Sequence, residues 1–168
     1  ASLGFIPRLG IRQSDQTASY TWFSDANDWT LSKNLKLNWV YTQNQDAQFS
    51  DKKIDALLTV KAKQANTLQF QLLTQTERLA GRDVSTQGWK ATWTSKTLPQ
   101  LTSTIAYGEK QAANYGYTRP EVLSGDATNA QLKLLWTPGQ HWSFEQTVFL
   151  TTLKHRLGEI YQDRIIRS

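Results

Sequence analysis

Cysteine and methionine are both absent from the 168 residues. Without cysteine no disulfide and no thiolate metal site forms, an absence that fits a cell-envelope protein at least as well as a cytosolic one. Without methionine there is no initiator residue, so Ala1 is not read as the start of translation and the chain is expected to be a piece of something longer. Long apolar runs are missing too. Nowhere do about 18 apolar residues follow one another, which excludes a transmembrane helix. Ala1 to Gly10 has neither the charged start nor the apolar stretch of a secretory signal, so an exported chain is seen here after processing or trimming. Clusters of one charge sign are also scarce. Lys and Arg number 19 against 14 Asp and Glu, a net +5 that permits contact with nucleic acid or anionic headgroups. The charges are spread singly, however, and nucleic-acid binding is not expected.

What is present is pattern. Hydrophobic residues make up 39%, lean for a globular core, yet their order is too regular for a disordered chain. The length suits one domain over residues 1–168. Apolar residues recur at every second position: Ala18, Tyr20 and Trp22; Leu35, Leu37, Trp39 and Tyr41; Ile54, Ala56, Leu58, Val60 and Ala62; Leu68, Phe70 and Leu72. Trp89, Ala91 and Trp93 continue the series, as do Leu101, Ile105 and Tyr107. In LKLLWTPGQHWSFEQTVFL two such runs flank Pro138-Gly139, with Leu132, Leu134 and Trp136 sharing a face with Trp142, Phe144, Val148 and Leu150. A period of two means strands with one apolar face. Eight strands and the start of a ninth, at Tyr161 to Ser168, are read, with almost no helix.

Short connections are expected at Lys63 to Thr67, Ser95 to Gln100 and Thr137 to His141, each with turn residues. Longer polar ones are expected at Gln43 to Lys52, Thr74 to Ser85, Gly108 to Thr128 and Lys154 to Tyr161. Ser24 to Asn34 belongs by order with the short set but is longer. Tight turns at one end and long loops at the other suit a transmembrane barrel better than a soluble meander. Aromatics repeat the asymmetry. Trp22, Trp29, Trp93, Trp136 and Trp142 stand by the short connections, and Tyr41, Tyr107, Tyr115, Tyr117 and Tyr161 by the long ones. Trp and Tyr favour a membrane interface because their rings are apolar and their N–H or O–H wants water.

The fold expected is therefore an all-β antiparallel transmembrane β-barrel, closed because an open edge is not left in hydrocarbon; eight strands could close alone, but the start of a ninth at Tyr161 to Ser168 points to part of a larger barrel. The alternative is a soluble lipocalin-like β-barrel, whose apolar face lines a cavity for an apolar ligand. In the membrane reading, Trp22, Trp93, Trp136, Trp142, Tyr41 and Tyr107 are interface aromatics, and Lys36, Lys61, Lys90, Lys133 and Glu145 line the lumen. Those lumen charges either bias passage toward anions or pair across the lumen and plug it. Leu57, Leu73, Leu135, Phe149 and Leu153 put apolar groups on the same polar face, compatible with a packed interior. Leu9 and Ile11 are out of parity with Tyr20 and Trp22, which a bulge near Gln13 to Gln16 would reconcile.

LGFIPRLGIRQSDQTASYTW, and the stretch from WTPGQHWSFEQ to QDRIIRS, resemble a bacterial outer-membrane β-barrel family of poorly defined function. In that family the barrel follows a domain like the family-9 carbohydrate-binding modules. Gly4, Phe5, Ile6, Pro7 and Arg8 match its opening motif, Tyr20 its first strand, and Asp163, Arg164, Ile165 and Ile166 its Asp-Arg-aliphatic segment. The carbohydrate-binding domain has no counterpart here, so no sugar-binding residue carries over. Ser168 is not the aromatic end usual for such barrels, so the resemblance implies a carboxy-proximal part of a longer chain.

His141 and His155 are the only near-neutral acid–base groups and are expected at opposite ends of the strands. His155, with Glu159 or Asp163, is the one conceivable hydrolytic arrangement, read instead as a solvated charge cluster. Asp83, Glu109, Glu121 and Asp126 are loop acids, read as solvation ahead of divalent cations held against lipopolysaccharide. No metal spacing, phosphate loop or nucleophile elbow is present, so no enzyme activity, metal or cofactor is expected. The reading is an outer-membrane scaffold or porin-like channel of a Gram-negative-type bacterium, possible company for a separate glycan-binding domain. Its partners are outer-membrane lipid, lipopolysaccharide, and the rest of a longer barrel chain or another envelope protein.

Overall fold

A computed structural model describes residues 11–44, 50–79, 82–113, 124–139, 141–155 and 158–167. They form one antiparallel sheet of nine strands in sequence order, with no helix among the described residues. The strands are β1 (Ile11–Phe23), β2 (Thr30–Asn44), β3 (Ser50–Ala62), β4 (Asn66–Leu79), β5 (Arg82–Leu98), β6 (Leu101–Ala113), β7 (Ser124–Trp136), β8 (Phe144–His155) and β9 (Gly158–Arg167). Every neighbour in space is a neighbour in sequence, the meander that hairpin connections give. Among the described residues β1 pairs only with β2, and β9 only with β8, so the sheet is open at both edges.

Register carries the alternation across the whole sheet. Ala18, Leu37, Ala56, Leu72 and Trp89 lie on one hydrogen-bonded row, and Tyr20, Leu35, Leu58, Phe70, Ala91, Tyr107, Ala130 and Leu150 on the next. Because the side-chain period is two, this register keeps all the apolar sets on one face. The β1–β2 register runs unbroken from Ile11↔Asn44 to Phe23↔Ser32. The bulge expected near Gln13 to Gln16 is therefore not there, and Ile11 stands in the same continuous ladder as Tyr20 and Trp22. Leu9 lies outside the described residues. Register shifts occur instead at Thr30/Ser32, Ser95/Leu98 and Leu153/Lys154.

The strands are longer than the apolar pattern alone defines, and this corrects the connection lengths. Two residues, 80 and 81, separate β4 from β5, and two, 156 and 157, separate β8 from β9. The polar stretches expected as long loops are mostly strand: Thr74 to Leu79, Arg82 to Ser85, Gly108 to Ala113, Ser124 to Thr128 and Lys154 to His155 extend the ladder. The asymmetry survives in another form. At one end the apolar set reaches the turns, with Trp136 closing β7 and Phe144 opening β8; at the other, several polar residues of each strand continue past it.

At the first of these ends, adjacent connections are joined in series. Lys63 N–H donates to the Trp29 carbonyl at 3.0 Å, Lys96 N–H to Ala65 at 3.3 Å, and Thr137 N–H to Gln100 at 2.7 Å. The β3–β4 turn is tight, with Gln64 and Ala65 at φ 59° and 53°. Asn66 Nδ2 donates to the Lys63 carbonyl at 3.2 Å, tying that turn across its base.

Candidate functional site

The two faces of the sheet differ in curvature as well as chemistry. On the polar face, a cavity of about 370 Å³ is lined by Gln71 and Leu73 of β4, Gly88 and Lys90 of β5, and by residues of β6, β7 and β8 as far as Phe149 and Thr151. In a flat sheet β4 and β8 stand about 19 Å apart and share no cavity. The polar face is therefore concave. Its apolar members are covered: Leu153 is 6% exposed, Val84 8%, Ala106 4% and Ala127 5%. The apolar face is convex and open, and Leu68, Leu72, Trp93, Leu132 and Trp136 are all exposed on it. Among strand residues paired in the register, exposed large hydrophobics fall on the concave side only at Phe23 and Ile165, on the two edge strands.

Gly88 and Gly108 show how the bend is made. In register Gly88 faces Lys110 and Gly108 faces Lys90. A Cβ on Gly88 would run into Lys110 Cβ, and one on Gly108 would stand 2.6 Å from the Trp89 carbonyl oxygen. Only a residue without a side chain lets β5 and β6 close up on their inner face, the use that curved sheets make of strand glycines.

The convex belt has two distinct margins. Toward the series-joined turns it ends in Trp22, Trp93, Trp136 and Trp142. Trp136, Phe144 and Trp142 stack with centroid separations of 5.6 and 6.4 Å, and Tyr20 meets Trp22 edge-on at 4.7 Å. Trp142 lies in the β7–β8 connection, and Trp29 in that between β1 and β2. Toward the other end the belt gives way to Lys52, Thr74, Gln87, Glu109, Thr128 and Thr152 on the same face. Tyr41 and Tyr107 stand at that margin. Tyr107 Oη donates to Glu109 Oε1 at 2.7 Å, and Lys52 Nζ is 6.0 Å from the Tyr41 ring centroid. Trp39 and Trp89 belong there as well and were missed; Trp89 packs between Phe70 and Tyr107 at 6.1 and 5.6 Å. Their parity with Tyr41 and Trp93 was the available signal. Tyr115 and Tyr117 lie outside the described residues, and Tyr161 lies in β9.

All five charged candidates fall on the concave face. Lys36 and Lys90 share one row, separated by Leu57 and Gln71, while Lys61 and Lys133 share another with Thr67, Thr94 and Thr104 between them. Lys133 Nζ meets Glu145 Oε2 at 2.8 Å, with the two side chains 38% and 52% exposed. Lys36, Lys61 and Lys90 make no salt bridge among the described residues. Lys90 alone of the five lines the cavity, together with Lys110, which fell in a stretch expected to be loop. Leu73 and Phe149 line it too, so apolar groups on this face roof a curved wall without filling it. Gln71 Nε2 donates to both carboxylate oxygens of Asp55, at 2.9 and 2.8 Å, and Thr151 Oγ1 donates to Asn129 Oδ1 at 3.1 Å.

His141 lies in the β7–β8 connection and His155 at the far end of β8, a 12-residue strand away, about 40 Å. The two do not meet. Asp83 and Asp126 lie in β5 and β7, not in loops, and Glu121 is outside the described residues. No group of three His, Cys, Asp or Glu suited to a metal occurs among the described residues. Asp163, Arg164, Ile165 and Ile166 lie in β9, while Gly4 to Arg8 fall outside the described residues. The chain matches no family model, no curated protein and no solved structure.

Proposed function

We propose that this sheet is part of the wall of an outer-membrane β-barrel, with its convex face against lipid and its concave face toward a water-filled interior. The observation that carries the reading is the pairing of curvature with chemistry: the exposed apolar belt lies on the convex side. A lipocalin-like binder needs the reverse, an apolar concave face enclosing its ligand. In water the belt would be a severe liability, since each Leu or Phe left exposed forgoes about 1.5–3 kcal/mol. In a bilayer the same face is solvated by acyl chains, and the Trp and Tyr margins fall where headgroups are.

The slope of the belt supports the same reading. The row through Leu58, the middle of the apolar run of β3, reaches Ala130 on β7, whereas the apolar run of β7, from Ala130 to Trp136, is centred near Lys133. The belt is thus displaced by about three residues over four strand steps. At about 3.4 Å per residue and about 4.8 Å per step, a level belt requires strands leaning about 30°. Strands of membrane barrels also lean, by about 35–45°. Strand parity speaks to size. With nine strands in meander order among the described residues, β1 and β9 run parallel, so closure of these strands on themselves would need the one parallel pairing that single-chain bacterial barrels avoid by even strand numbers. Further strands, from a longer chain or another envelope protein, complete the barrel. That is consistent with the resemblance to the barrel family carried by Asp163 to Ile166, and the role proposed is that of scaffold or channel.

The test is retention of the expressed chain in outer-membrane vesicles washed with alkaline carbonate, with tryptophan emission read against bromine-labelled acyl chains. Retention with quenching is expected; a soluble, unquenched protein would return the case to the cavity binder.

A further inference from the structure

Two lysines of the concave face occupy a setting that no other charged pair among the described residues shares. Lys90 stands across from Gly108 and Lys110 across from Gly88, so the stem of each lysine leans into the place that a cross-strand side chain would take. Both line the cavity of about 370 Å³, and neither makes a salt bridge among the described residues. Of the carboxylates that share their face, Asp55 is held by Gln71 and Glu145 by Lys133, and none lines the cavity. Glu109, between them in sequence, points to the convex face and receives Tyr107. Two positive charges thus stand uncompensated in a concavity, where low-dielectric walls focus their field.

The rest of the lining supplies neutral donors. Asn129 takes the Thr151 hydroxyl on its oxygen, leaving its amide N–H groups free to donate, and Gln131 adds a second amide beside it. Leu73 and Phe149 give the apolar floor that keeps such bonds from being diluted by water. Two ammonium groups and two amides around one space match an oxyanion, which accepts several charge-assisted bonds at once. The volume exceeds that of a bare ion many times over, since one water takes about 30 Å³.

We propose that Lys90 and Lys110, with Asn129 and Gln131, form a binding station for a small organic oxyanion, a carboxylate or a phosphate ester. The proposal deepens the lumen reading and rests on the concave face being wet. A pair of cations would also act in passage, drawing anions into the interior.

The experiment is lysine acetylation of the full chain in vesicles, followed by peptide mass spectrometry, at constant ionic strength with chloride, inorganic phosphate or citrate as the anion. Phosphate or citrate is expected to slow modification of Lys90 and Lys110 by at least about fivefold, saturably, with Lys36, Lys61 and Lys52 unaffected. Protection by phosphate alone, by citrate alone or by both identifies the oxyanion favoured. In Lys90→Gln, protection of Lys110 is expected to disappear while β circular dichroism is unchanged. If Lys36 and Lys61 react freely but neither anion protects Lys90 and Lys110, the binding station is overturned and the wet lumen stands. If Lys36, Lys61, Lys90 and Lys110 all resist acetylation, the face is dry and both readings fall.

Discussion

At the scale of single residues, two glycines decide the curvature that everything else depends on. A methyl group on Gly108 has no room beside the Trp89 carbonyl, at 2.6 Å, and the obstacle is backbone that cannot rotate away. Gly108→Ala is therefore expected to destabilise the folded state by about 1–3 kcal/mol, read from urea unfolding in detergent micelles. The turn at Gln64-Ala65 makes the opposite case. Ala65 has a left-handed φ of 53° that glycine adopts without strain, so Ala65→Gly is expected to raise stability by about 0.5–1 kcal/mol in the same assay. Sequence did not single out Gly88 or Gly108, because a strand glycine reads alike as a weak point, a bulge or a corner until register shows what faces it. Lys110 was hidden for a related reason. The apolar members that mark a strand run out at Tyr107, and the polar residues beyond it resemble a loop although they continue the ladder.

At the scale of the strand, alternation was legible almost throughout. Leu132, Leu134 and Trp136 take one face and Gln131, Lys133 and Leu135 the other, as the period of two requires. That pattern is strong because both halves of it are chemically plain, Leu and Trp against Gln, Lys and Thr. Ile11 was misread for the converse reason: an isolated apolar residue among polar neighbours gives no period, and a bulge was inferred where the ladder is continuous. The consequence for β7 is a contrast between adjacent positions. Leu132→Arg, near the middle of the belt that the proposed function sets against acyl chains, is expected to cost about 2–4 kcal/mol on refolding into vesicles. Gln131→Arg, one residue away and facing the interior, is expected to change stability by less than about 1 kcal/mol. Equal penalties would mean that both faces meet the same solvent.

At the scale of the whole molecule, curvature, margins and slope come from different residues yet require the same environment. Composition hinted at it only obliquely: a protein whose greasy surface lies outside needs little apolar core, and 39% hydrophobic residues are then sufficient. Closure was not readable from sequence, because the hydrogen-bond partners of the outer edges of β1 and β9 are set by geometry and not by side-chain pattern. The absence of native cysteine makes the edges accessible to experiment. With Ser19→Cys on β1 and Asp163→Cys on β9, no disulfide within one chain is expected under mild oxidation, because in the proposed barrel additional strands separate the two edges. A rapid intrachain bond would mean that the nine strands close by a parallel seam.

The most direct measurement is a spin-label scan of β7 in lipid vesicles, one cysteine at a time from Ala130 to Trp136, comparing relaxation by oxygen with relaxation by a water-soluble nickel chelate. Labels at Ala130, Leu132, Leu134 and Trp136 are expected to favour oxygen, as lipid-facing sites do, and labels at Gln131, Lys133 and Leu135 to favour nickel, with a period of two. The inverse phase, or nickel accessibility at every position, would contradict a convex face embedded in lipid.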